Sequence, residues 1–325
     1  MRAIIPVAGV GTRLRPHTYT LPKVLLTVAG KPIIGHILDK IYEEGIDTAT
    51  IIVGHFGEKV EEYVRAAHPK IHVDFVEQEE LLGLAHSIYV ARHTFDHDPV
   101  MIILGDTIFD VDLTTVLSAG VNSLGVKYVD DPRRFGVAVL DGEKISRLVE
   151  KADPPVSNLA LVGLYYIKNS GLLKDCIDEL LTKGIRTKGE FQLTDALQMM
   201  LERGEHMTTF SVDGWFDCGK PETLLSTNRY LLTKRSASPR MDGIVVNEPV
   251  SIASTAVIKN SVIGPYATIG DRALVENSFI TNSIISSDAQ VLNSLLEDSI
   301  IGNGAAVRGR FKRINAGDSS EIDIS

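Results

Sequence analysis

The chain has 325 residues, of which 44% are hydrophobic, and its formal net charge is −9 at pH 7. A chain of this size can bury one large core or two smaller ones. The acidic balance, with no lysine or arginine run longer than a pair, argues against nucleic acid or an anionic membrane as a partner. Apolar runs are short and no signal-peptide pattern opens the chain, so we expect a cytoplasmic protein.

The chain has only two cysteines, Cys176 and Cys218. Neither lies in a CxxC motif or in a Cys/His cluster with the spacing of a zinc site, and two are too few for a disulfide framework. We interpret both as reduced, structural residues.

From the start to about Phe109, short β-branched segments alternate with helical patterns. The first helix should begin after Pro32 and end before Gly45, since both residues are typical of those positions. One face of it would carry Ile33, Ile34, Ile37, Leu38 and Ile41. Such alternation indicates a parallel sheet with helices on both faces. Because ligands bind beyond the carboxyl ends of such strands, "PVAG" and "LGD" should face one cleft.

A different pattern follows the polar stretch Thr233–Gly243, which we interpret as a linker. Aliphatic residues then recur every five or six positions, at Ile252, Ile258, Ile263, Ile269, Val275, Ile280, Ile285, Val291, Leu296, Ile301 and Val307. This repeat resembles the hexapeptide-repeat left-handed parallel β-helix, in which three flat strands form one triangular coil. Eleven units predict between three and four coils, with Asn-Ser pairs at the corners.

The stretch "AIIPVAGVGTRLRPHTYTLPK" carries a glycine loop that fits neither common nucleotide motif. Gly9 and Gly11 are not followed by a third glycine at dinucleotide-fold spacing, and no Gly-Lys-Ser/Thr closes a P-loop. Instead Thr12, Arg13 and Lys23 follow. Small residues let backbone N–H groups approach phosphates, and basic side chains supply positive charge. The loop therefore suits a triphosphate.

These motifs resemble those of the sugar-1-phosphate nucleotidyltransferases, also called nucleotide-sugar pyrophosphorylases. The opening "PVAGVGTRLRPHTYTLPKVLLTVAGKPII" is followed in that family's order by "LGDTIF", "RRFGVAVL", "LVEKADPPVSNLALVGLYY", "GEFQLTDAL" and "GWFDCGKPETLL". The resemblance covers essentially the whole chain and is nearest to glucose-1-phosphate thymidylyltransferase- and uridylyltransferase-like proteins with a C-terminal hexapeptide-repeat domain. Ala8-Gly9 departs from the two glycines of many members, which affects the subfamily rather than the function.

The resemblance implies a Rossmann-like α/β catalytic domain with a mixed sheet over residues 1–232, a linker over 233–248 and a left-handed β-helix over 249–325. In the reaction it implies, a sugar 1-phosphate attacks the α-phosphorus of a nucleoside triphosphate and expels pyrophosphate. Arg13 would hold the β- and γ-phosphates, Lys23 would lie near the α-phosphate, and Asp106 completes the catalytic group. The predicted nucleotide-binding residues are Ala8, Gly9, Gly11, Thr12, Gln78 and Gly83.

Asp106 follows the strand "MIILG", where a carboxylate has no packing reason to be. Asp217, in "WFDCG", is the second acidic residue that the family pattern matches. Mg²⁺ takes one or two protein carboxylates and completes its shell with water and phosphates, so we assign it to Asp106 and Asp217. The competing pair is Asp110 and Asp112, which resembles a glycosyltransferase metal motif but falls after the strand; we interpret it as a loop or helix cap.

The sugar-phosphate site is predicted at Gly136, Glu150 and Lys151 by the same resemblance. Glu150 would accept hydrogen bonds from sugar hydroxyls, Lys151 would hold the sugar phosphate, and Gly136 would let the sugar approach the backbone. The alternative for the Glu-Lys pair is a surface ion pair.

Gln78 precedes Gly83 by five residues, where the resemblance places the side chain that reads the base. Uracil and thymine present an N3–H donor beside an O4 acceptor, which an amide matches, whereas guanine presents two donors that suit a carboxylate. Gln78 therefore favours dTTP or UTP. The family resemblance makes glucose 1-phosphate the favoured sugar. A shift of one residue to Glu77 or Glu79 would reverse the base preference.

Two alternatives to this function stay open on the sequence. One is a mannose-1-phosphate guanylyltransferase, and the other is a non-catalytic regulatory homologue that binds nucleotide-sugars. An acyltransferase is opposed by the absence of any histidine after His206, because such sites generally use a histidine base. The β-helix has no charged pocket motif, so we expect it to support a homo-oligomer.

Overall fold

The computed structural model describes residues 1–234 and 243–310. Its contacts divide into two compact units, Met1–Thr27 with Lys31–Thr227, and Val28–Gly30 with the chain from Asn228 onward. Of the predicted linker 233–248, residues 235–242 lie outside the described residues, and the predicted domain limits stay a prediction. Within the described ranges, no helix has both the length and the apolar composition that a membrane crossing requires.

The strands of the first 234 residues lie mostly in one mixed sheet. In chain order they are β1 (Arg2–Pro6), β2 (Thr27–Val28), β3 (Lys31–Pro32), β4 (Thr48–Val53), β5 (His72–Glu77), β6 (Val100–Ile103), β7 (Thr107–Asp110), β8 (Asn122–Tyr128), β9 (Gly136–Asp141), β10 (Lys144–Glu150), β11 (Leu159–Ile167), β12 (Met207–Ser211) and β13 (Gly214–Asp217). The sheet order is β5-β4-β1-β6-β11-β8-β12-β10-β9. Within this sheet the four strands that precede Asp106, β1, β4, β5 and β6, pair in parallel. Strand β11 is antiparallel to both β6 and β8. The predicted mixed sheet is confirmed.

Seven helices belong to the same stretch of described chain. They are α1 (Ile33–Glu43), α2 (Gly57–Ala67), α3 (Leu84–Val90), α4 (Leu113–Ala119), α5 (Ser170–Thr182), α6 (Leu193–Glu202) and α7 (Pro221–Thr233). The predicted apolar face of α1 is confirmed, because its five aliphatic residues are at most 2% exposed. Pro32 precedes the helix and Gly45, at φ 77°, follows it, as expected for a residue that leaves the helix through the left-handed region.

The core explains why β6 reads as an unbroken apolar run. All four of its residues, Val100–Ile103, are fully buried, since helices cover both faces of the sheet. Side chains from α3, α5 and α6 pack against this sheet in one continuous cluster. Because β1 and β6 are parallel neighbours, the segments that follow them leave from the same edge, and the Gly105 N–H donates to the Pro6 carbonyl at 3.1 Å.

The second unit contains short parallel strands stacked in three sheets. In chain order they are β14 (Val245–Val246), β15 (Val250–Ile252), β16 (Val257–Lys259), β17 (Val262–Ile263), β18 (Ala267–Ile269), β19 (Leu274–Glu276), β20 (Phe279–Ile280), β21 (Ile284–Ile285), β22 (Gln290–Leu292), β23 (Leu295–Leu296), β24 (Ile300–Ile301) and β25 (Ala306–Arg308). The sheet orders are β14-β17-β20-β23, β15-β18-β21-β24 and β16-β19-β22-β25. Four strands in each sheet make four coils, and the predicted left-handed β-helix is confirmed.

All eleven aliphatic residues predicted from the repeat lie in these strands. The strands also include Val246, which the repeat did not identify because β14 comes before its first recognised unit. Val246 pairs in register with Ile263 and packs against the same apolar cluster. The periodic residues therefore stack directly above one another along the axis.

The Asn-Ser pairs lie at the corners of the coil and have two separate uses. Asn260, Asn277 and Asn293 adopt positive φ values of 45°, 50° and 52°, which asparagine tolerates better than most residues. Their side chains form a ladder, with the Asn277 amide donating to Asn293 at 3.1 Å. The serines that follow form a second ladder, in which Ser278 Oγ accepts from the Ser294 N–H at 3.1 Å. Corner residues thus satisfy backbone groups that the flat strands leave unpaired.

Replacing Ser278 with alanine should destabilise the β-helix. Ser278 is 5% exposed, and its loss leaves the buried Ser294 N–H without an acceptor. We expect a loss of about 1–3 kcal/mol in the free energy of unfolding, measured by urea denaturation with circular dichroism. The exposed Ser254→Ala serves as the control in the same unit. Equal urea midpoints for the two variants would contradict the role of the ladder.

Candidate functional site

A cavity of about 690 Å³ opens at the carboxyl edge of β1 and β6. Ten of the thirteen predicted site residues line it: Ala8, Gly9, Gly11, Thr12, Arg13, Lys23, Gln78, Gly83, Asp106 and Lys151. Gly136, Glu150 and Asp217 do not line it directly, and each lies beside a residue that is described below. The structure therefore gathers segments separated by more than a hundred residues of sequence at one edge of the sheet.

The glycine loop leaves β1 and enters a single turn of 3₁₀ helix at Thr12–Leu14. Gly11 has φ 67°, and a Cβ there would lie 3.1 Å from side-chain atoms of both Thr18 and Lys23. A Cβ at Gly9 would meet nothing within 4 Å, so this glycine leaves open space beside the loop. Gly11 is therefore required by its conformation, whereas Gly9 keeps the backbone accessible.

The departure from a double glycine at Ala8 has a local explanation. Ala8 is buried, and the residue facing it is Gly54, where an added Cβ would lie 2.8 Å from the Ala8 carbonyl oxygen. The methyl group of Ala8 thus occupies space that Gly54 leaves open. The Ala8 N–H is retained by this substitution.

Lys23 is buried at the floor of the site and is paired with a carboxylate. Its Nζ lies 2.6 Å from Asp106 Oδ2, and its side chain is only 10% exposed. A solvated loop lysine does not fit this burial. A buried ammonium requires a partner because desolvation is costly, and Asp106 supplies it.

Asp217 joins this pair through the two-stranded ladder of β7 and β13. Thr107, the neighbour of Asp106, pairs with Asp217, and the Cys218 N–H donates to the Asp106 carbonyl at 2.9 Å. Burial raises the pKa of the Asp217 carboxyl, and the Asp106 carboxylate raises it further, while Lys23 and Arg13 oppose the shift. The four side chains therefore form one electrostatic cluster of two cations and two carboxylates.

Gly219 gives this cluster its geometry. A Cβ at Gly219 would lie 2.7 Å from both Arg13 Nη2 and Asp217 Oδ1, so the guanidinium and the carboxylate both approach the bare backbone of this residue. Any larger residue would clash with both groups. The sequence motif "WFDCGK" contained this glycine, but its spacing alone did not indicate a contact with Arg13.

The donor set at this cluster fits a hard divalent cation. Asp106 and Asp217 supply carboxylate oxygens, and Mg²⁺ usually takes only one or two of these from the protein. Within the described ranges no group of three or more His, Cys, Asp or Glu residues has metal-binding geometry, so a cation here would depend on water and substrate oxygens for the rest of its shell. Burial is the first cause of the raised Asp217 pKa and repulsion from Asp106 is the second, and a cation would relieve that repulsion.

The competing acidic pair has a structural role. Asp112 caps helix α4, where its carboxylate accepts from the Thr114 N–H at 2.9 Å, as predicted for a helix cap. Asp110 is the last residue of β7 and pairs with Gly214, so it lies in a strand and not in a loop.

Glu150 and Lys151 form the second polar group. Glu150 Oε2 accepts from Thr194 Oγ1 at 2.7 Å, and Glu150 Oε1 lies 3.1 Å from Lys151 Nζ. The Glu150 side chain is 8% exposed, which does not fit a solvated surface pair. A Cβ at Gly136 would lie 2.8 Å from Glu150 Oε2 and 2.7 Å from Thr194 Oγ1, so Gly136 leaves room for this hydrogen bond.

Gln78 points into the protein, and its neighbours Glu77 and Glu79 are exposed. The Gln78 side-chain nitrogen faces the Gly83 carbonyl at 3.4 Å and His86 Nδ1 at 3.1 Å. Gly83 has φ 118°, and a Cβ there would lie 2.4 Å from the Phe191 carbonyl oxygen, so only glycine fits. The residue that reaches the cavity is therefore the glutamine that the sequence indicated.

Sequence reasoning missed four residues of this region. Ser87 lines the cavity and is 2% exposed, and its hydroxyl has no hydrogen-bond partner in the described chain. Asp195 has an unpartnered buried oxygen, and burial raises its pKa. Thr194 orients Glu150, and His86 contacts Gln78. The motif "GEFQLTDAL" contained Thr194 and Asp195, but nothing in its spacing assigned them a partner.

Comparison with known proteins is consistent with this geometry. The family model described as Nucleotidyl transferase matches residues 2–234. The low-salt glycan biosynthesis nucleotidyltransferase Agl11 of Haloferax volcanii is 32% identical over 100% of both chains. A glucose-1-phosphate thymidylyltransferase of Streptomyces antibioticus is 30% identical over 100% of this chain and 99% of its own.

Among solved structures, a UDP-glucose pyrophosphorylase complexed with UDP-glucose is similar, with a TM-score of 0.63 and 25% identity over 72% of this chain and 99% of that one. The family match covers more than half of the chain, and the identity to Agl11 extends over all of it. The chain therefore belongs to the nucleotidyl transferase family, and its predicted membership among the sugar-1-phosphate nucleotidyltransferases is confirmed.

Proposed function

We propose that this enzyme condenses a pyrimidine nucleoside triphosphate, dTTP or UTP, with glucose 1-phosphate to give a nucleotide-sugar and pyrophosphate. The observation that carries the proposal is the cluster of Arg13, Lys23, Asp106 and Asp217 at the cavity. Relatives whose names specify glucose 1-phosphate, thymidylyl transfer or UDP-glucose support the choice of substrates.

Both substrates are anions, so the site must offset their repulsion before the sugar phosphate can attack. Arg13 and Lys23 line the cavity and supply the positive charge. We assign Arg13 to the β- and γ-phosphates and Lys23 to the neighbourhood of the α-phosphate. Positioning and electrostatic stabilisation of the leaving pyrophosphate then provide the catalysis, and loss of one such group costs about a hundredfold in rate.

Enzymes of this family generally use a divalent metal, and we propose Mg²⁺ held by Asp106 and Asp217. When bound, such a cation neutralises charge on the phosphates. The protein's own contribution is to keep Asp106 in place through Lys23 and to leave space at Gly219 for the Arg13 guanidinium and the Asp217 carboxylate. Both carboxylates are thereby oriented before substrate arrives.

The sugar phosphate is assigned to Gly136, Glu150 and Lys151. Thr194 occupies one oxygen of Glu150 and turns the carboxylate, which then accepts from sugar hydroxyls. Lys151 lines the cavity, where its ammonium reaches the sugar phosphate. In this assignment Gly136 acts indirectly, by leaving the space in which Glu150 and Thr194 form the hydrogen bond that orients the carboxylate.

The decisive experiment measures pyrophosphate release with Mg²⁺, each common triphosphate and a panel of sugar 1-phosphates. We expect glucose 1-phosphate to be used, with a pyrimidine triphosphate at least about ten times more efficient than GTP, because mismatched buried groups at Gln78 stay unpaired. Preference for GTP with mannose 1-phosphate would indicate a guanylyltransferase. Binding of nucleotide-sugar without any release would indicate a regulatory homologue.

Asp106→Asn and Asp217→Asn should each lower Mg²⁺-dependent turnover by about a hundredfold or more, because each removes a charged ligand. Calorimetric titration with Mn²⁺ should show weakened metal binding in both variants, and their melting temperatures verify folding. Asp112→Asn is the matched control, since asparagine also caps helices well. Wild-type metal binding and rates in both site variants would contradict the assignment.

The cytoplasmic location stays a prediction. We also propose that the β-helix supports a homo-oligomer. One face of the β-helix carries Val245, Val262, Phe279 and Leu295 in adjacent register, and Leu295 is 84% exposed. Burial of such an exposed apolar stripe in an interface between copies of the chain is favourable. Leu295→Lys should lower the particle mass measured by light scattering, and a wild-type monomer at micromolar concentration would contradict the proposal.

A further inference from the structure

The Gln78 amide is held by two neighbours inside the protein. Gln78 is 5% exposed, and its Nε2 lies 3.4 Å from the Gly83 carbonyl oxygen and 3.1 Å from His86 Nδ1. Gly83 and His86 both belong to the segment that begins helix α3, so one short element carries both partners. The amide nitrogen is thus directed inward, and Oε1 is the remaining polar atom of a side chain that lines the cavity.

The chemistry of the two partners determines which atom of the Gln78 amide faces them and which atom donates each hydrogen bond. A carbonyl oxygen only accepts hydrogen bonds, so the atom of Gln78 that faces Gly83 must be the NH₂ group. The same nitrogen then donates to His86, which requires a neutral ring with its proton on Nε2 and a free lone pair on Nδ1.

We propose that His86 is a positioning residue, which orients the Gln78 amide and makes the choice of pyrimidine base depend on the protonation state of His86. The inference rests on the proposed function, since it needs Gln78 to read the base. Neutral His86 leaves Gln78 Oε1 to accept from the N3–H of uracil or thymine. The amide nitrogen is held by Gly83 and His86, so it does not pair with O4, contrary to the expectation from the sequence.

The surroundings of His86 keep the ring neutral near physiological pH. The pKa of His86 lies below its ordinary value of 6.5, first because the ring is partly buried and also because the Arg186 guanidinium is close; the charge and backbone of Glu80 oppose this shift. The Tyr89 ring stacks with the His86 ring, with 6.3 Å between the two ring centroids. Below its pKa, the ring gains a proton at Nδ1.

A protonated Nδ1 donates, so the Gln78 amide must rotate to turn Oε1 towards His86. The NH₂ group then faces the base, and because it only donates, it cannot pair with the N3–H of uracil. Cytosine carries an acceptor at N3, so it matches the rotated amide. Lowering the pH should therefore shift the preference from UTP towards CTP, against the repulsion that Gly83 exerts on the rotated Oε1.

The experiment compares UTP and CTP with glucose 1-phosphate from about pH 8 down to about pH 5. This range stays above the protonation of cytosine itself. In the wild type, the ratio of kcat/KM for UTP to that for CTP should fall about threefold or more as His86 gains its proton, mainly through KM. Dissociation constants from calorimetry, measured in parallel, report the same ratio without turnover.

Two variants separate positioning from a merely structural role. In His86→Asn the side-chain carbonyl accepts in place of Nδ1 and does not titrate, so the ratio should stay high at every pH. In His86→Ala the ratio should be about threefold lower and independent of pH, because the amide loses one of its two partners and only the Gly83 carbonyl still holds its nitrogen. Melting temperatures verify folding, and His93→Ala, an exposed histidine, is the matched control that should follow the wild type.

A wild-type ratio that does not change with pH would overturn the proposal, as would a His86→Ala enzyme with the wild-type ratio and pH profile. If no triphosphate gives pyrophosphate while the dissociation constants still show the pH-dependent ratio, the proposed reaction fails and the role of His86 stands. If neither pyrimidine triphosphate binds, both fail. If His86→Ala does not fold, the wild-type and His86→Asn profiles decide.

Discussion

The parallel pairing of β1 with β6 is the constraint on which the candidate site depends. It places the glycine loop and the Leu104–Asp106 segment at one edge of the sheet, and the hydrogen bond from Gly105 to Pro6 holds the two strand ends together. Lys23 can then reach Asp106 across 83 residues of sequence. In a purely antiparallel arrangement of these strands the two segments would leave from opposite edges, and this ion pair would not form.

Charge balance is the second principle of the site. Two cations and two carboxylates share a partly buried space, and no single pair accounts for the electrostatics, because the Asp217 pKa responds to Asp106, Lys23 and Arg13 together. An arrangement with nearly zero net charge can be buried without ligands and still respond strongly to an incoming anion or cation. The polar groups farther along the cleft are oriented in a similar way by uncharged neighbours, with Thr194 on Glu150 and Gly83 on Gln78.

The β-helix was predictable to an unusual degree because its rule is local and periodic. Each inward aliphatic residue stacks on the equivalent residue of the next coil, so one period in the sequence specifies the register of all three sheets. Asparagine at the corners follows from the positive φ that the turn requires, and serine follows from the need for a nearby acceptor. Val246 was not identified from the sequence, because the first coil has no preceding repeat with which to compare it.

The sequence by itself determined the succession of strands and helices up to Asp106, the repeat after Gly243, and the identity of most of the charged and glycine residues that line the cavity, Gly105 and Glu190 being the exceptions. These depend on spacing between near neighbours, which the chain carries in its own order. Only the tertiary structure decided that Lys23 is buried against Asp106, that Arg13 and Asp217 both approach the backbone of Gly219, and that Thr194 and His86 contact Glu150 and Gln78. The contact of Thr194 with Glu150 joins segments 44 residues apart, and that of Lys23 with Asp106 joins segments 83 residues apart. Arg13 and Gly219 are farther apart still, so all three contacts depend on sheet order and register. His86 is only eight residues from Gln78, but which atom donates depends on the Gly83 carbonyl between them, and no sequence pattern encodes that geometry.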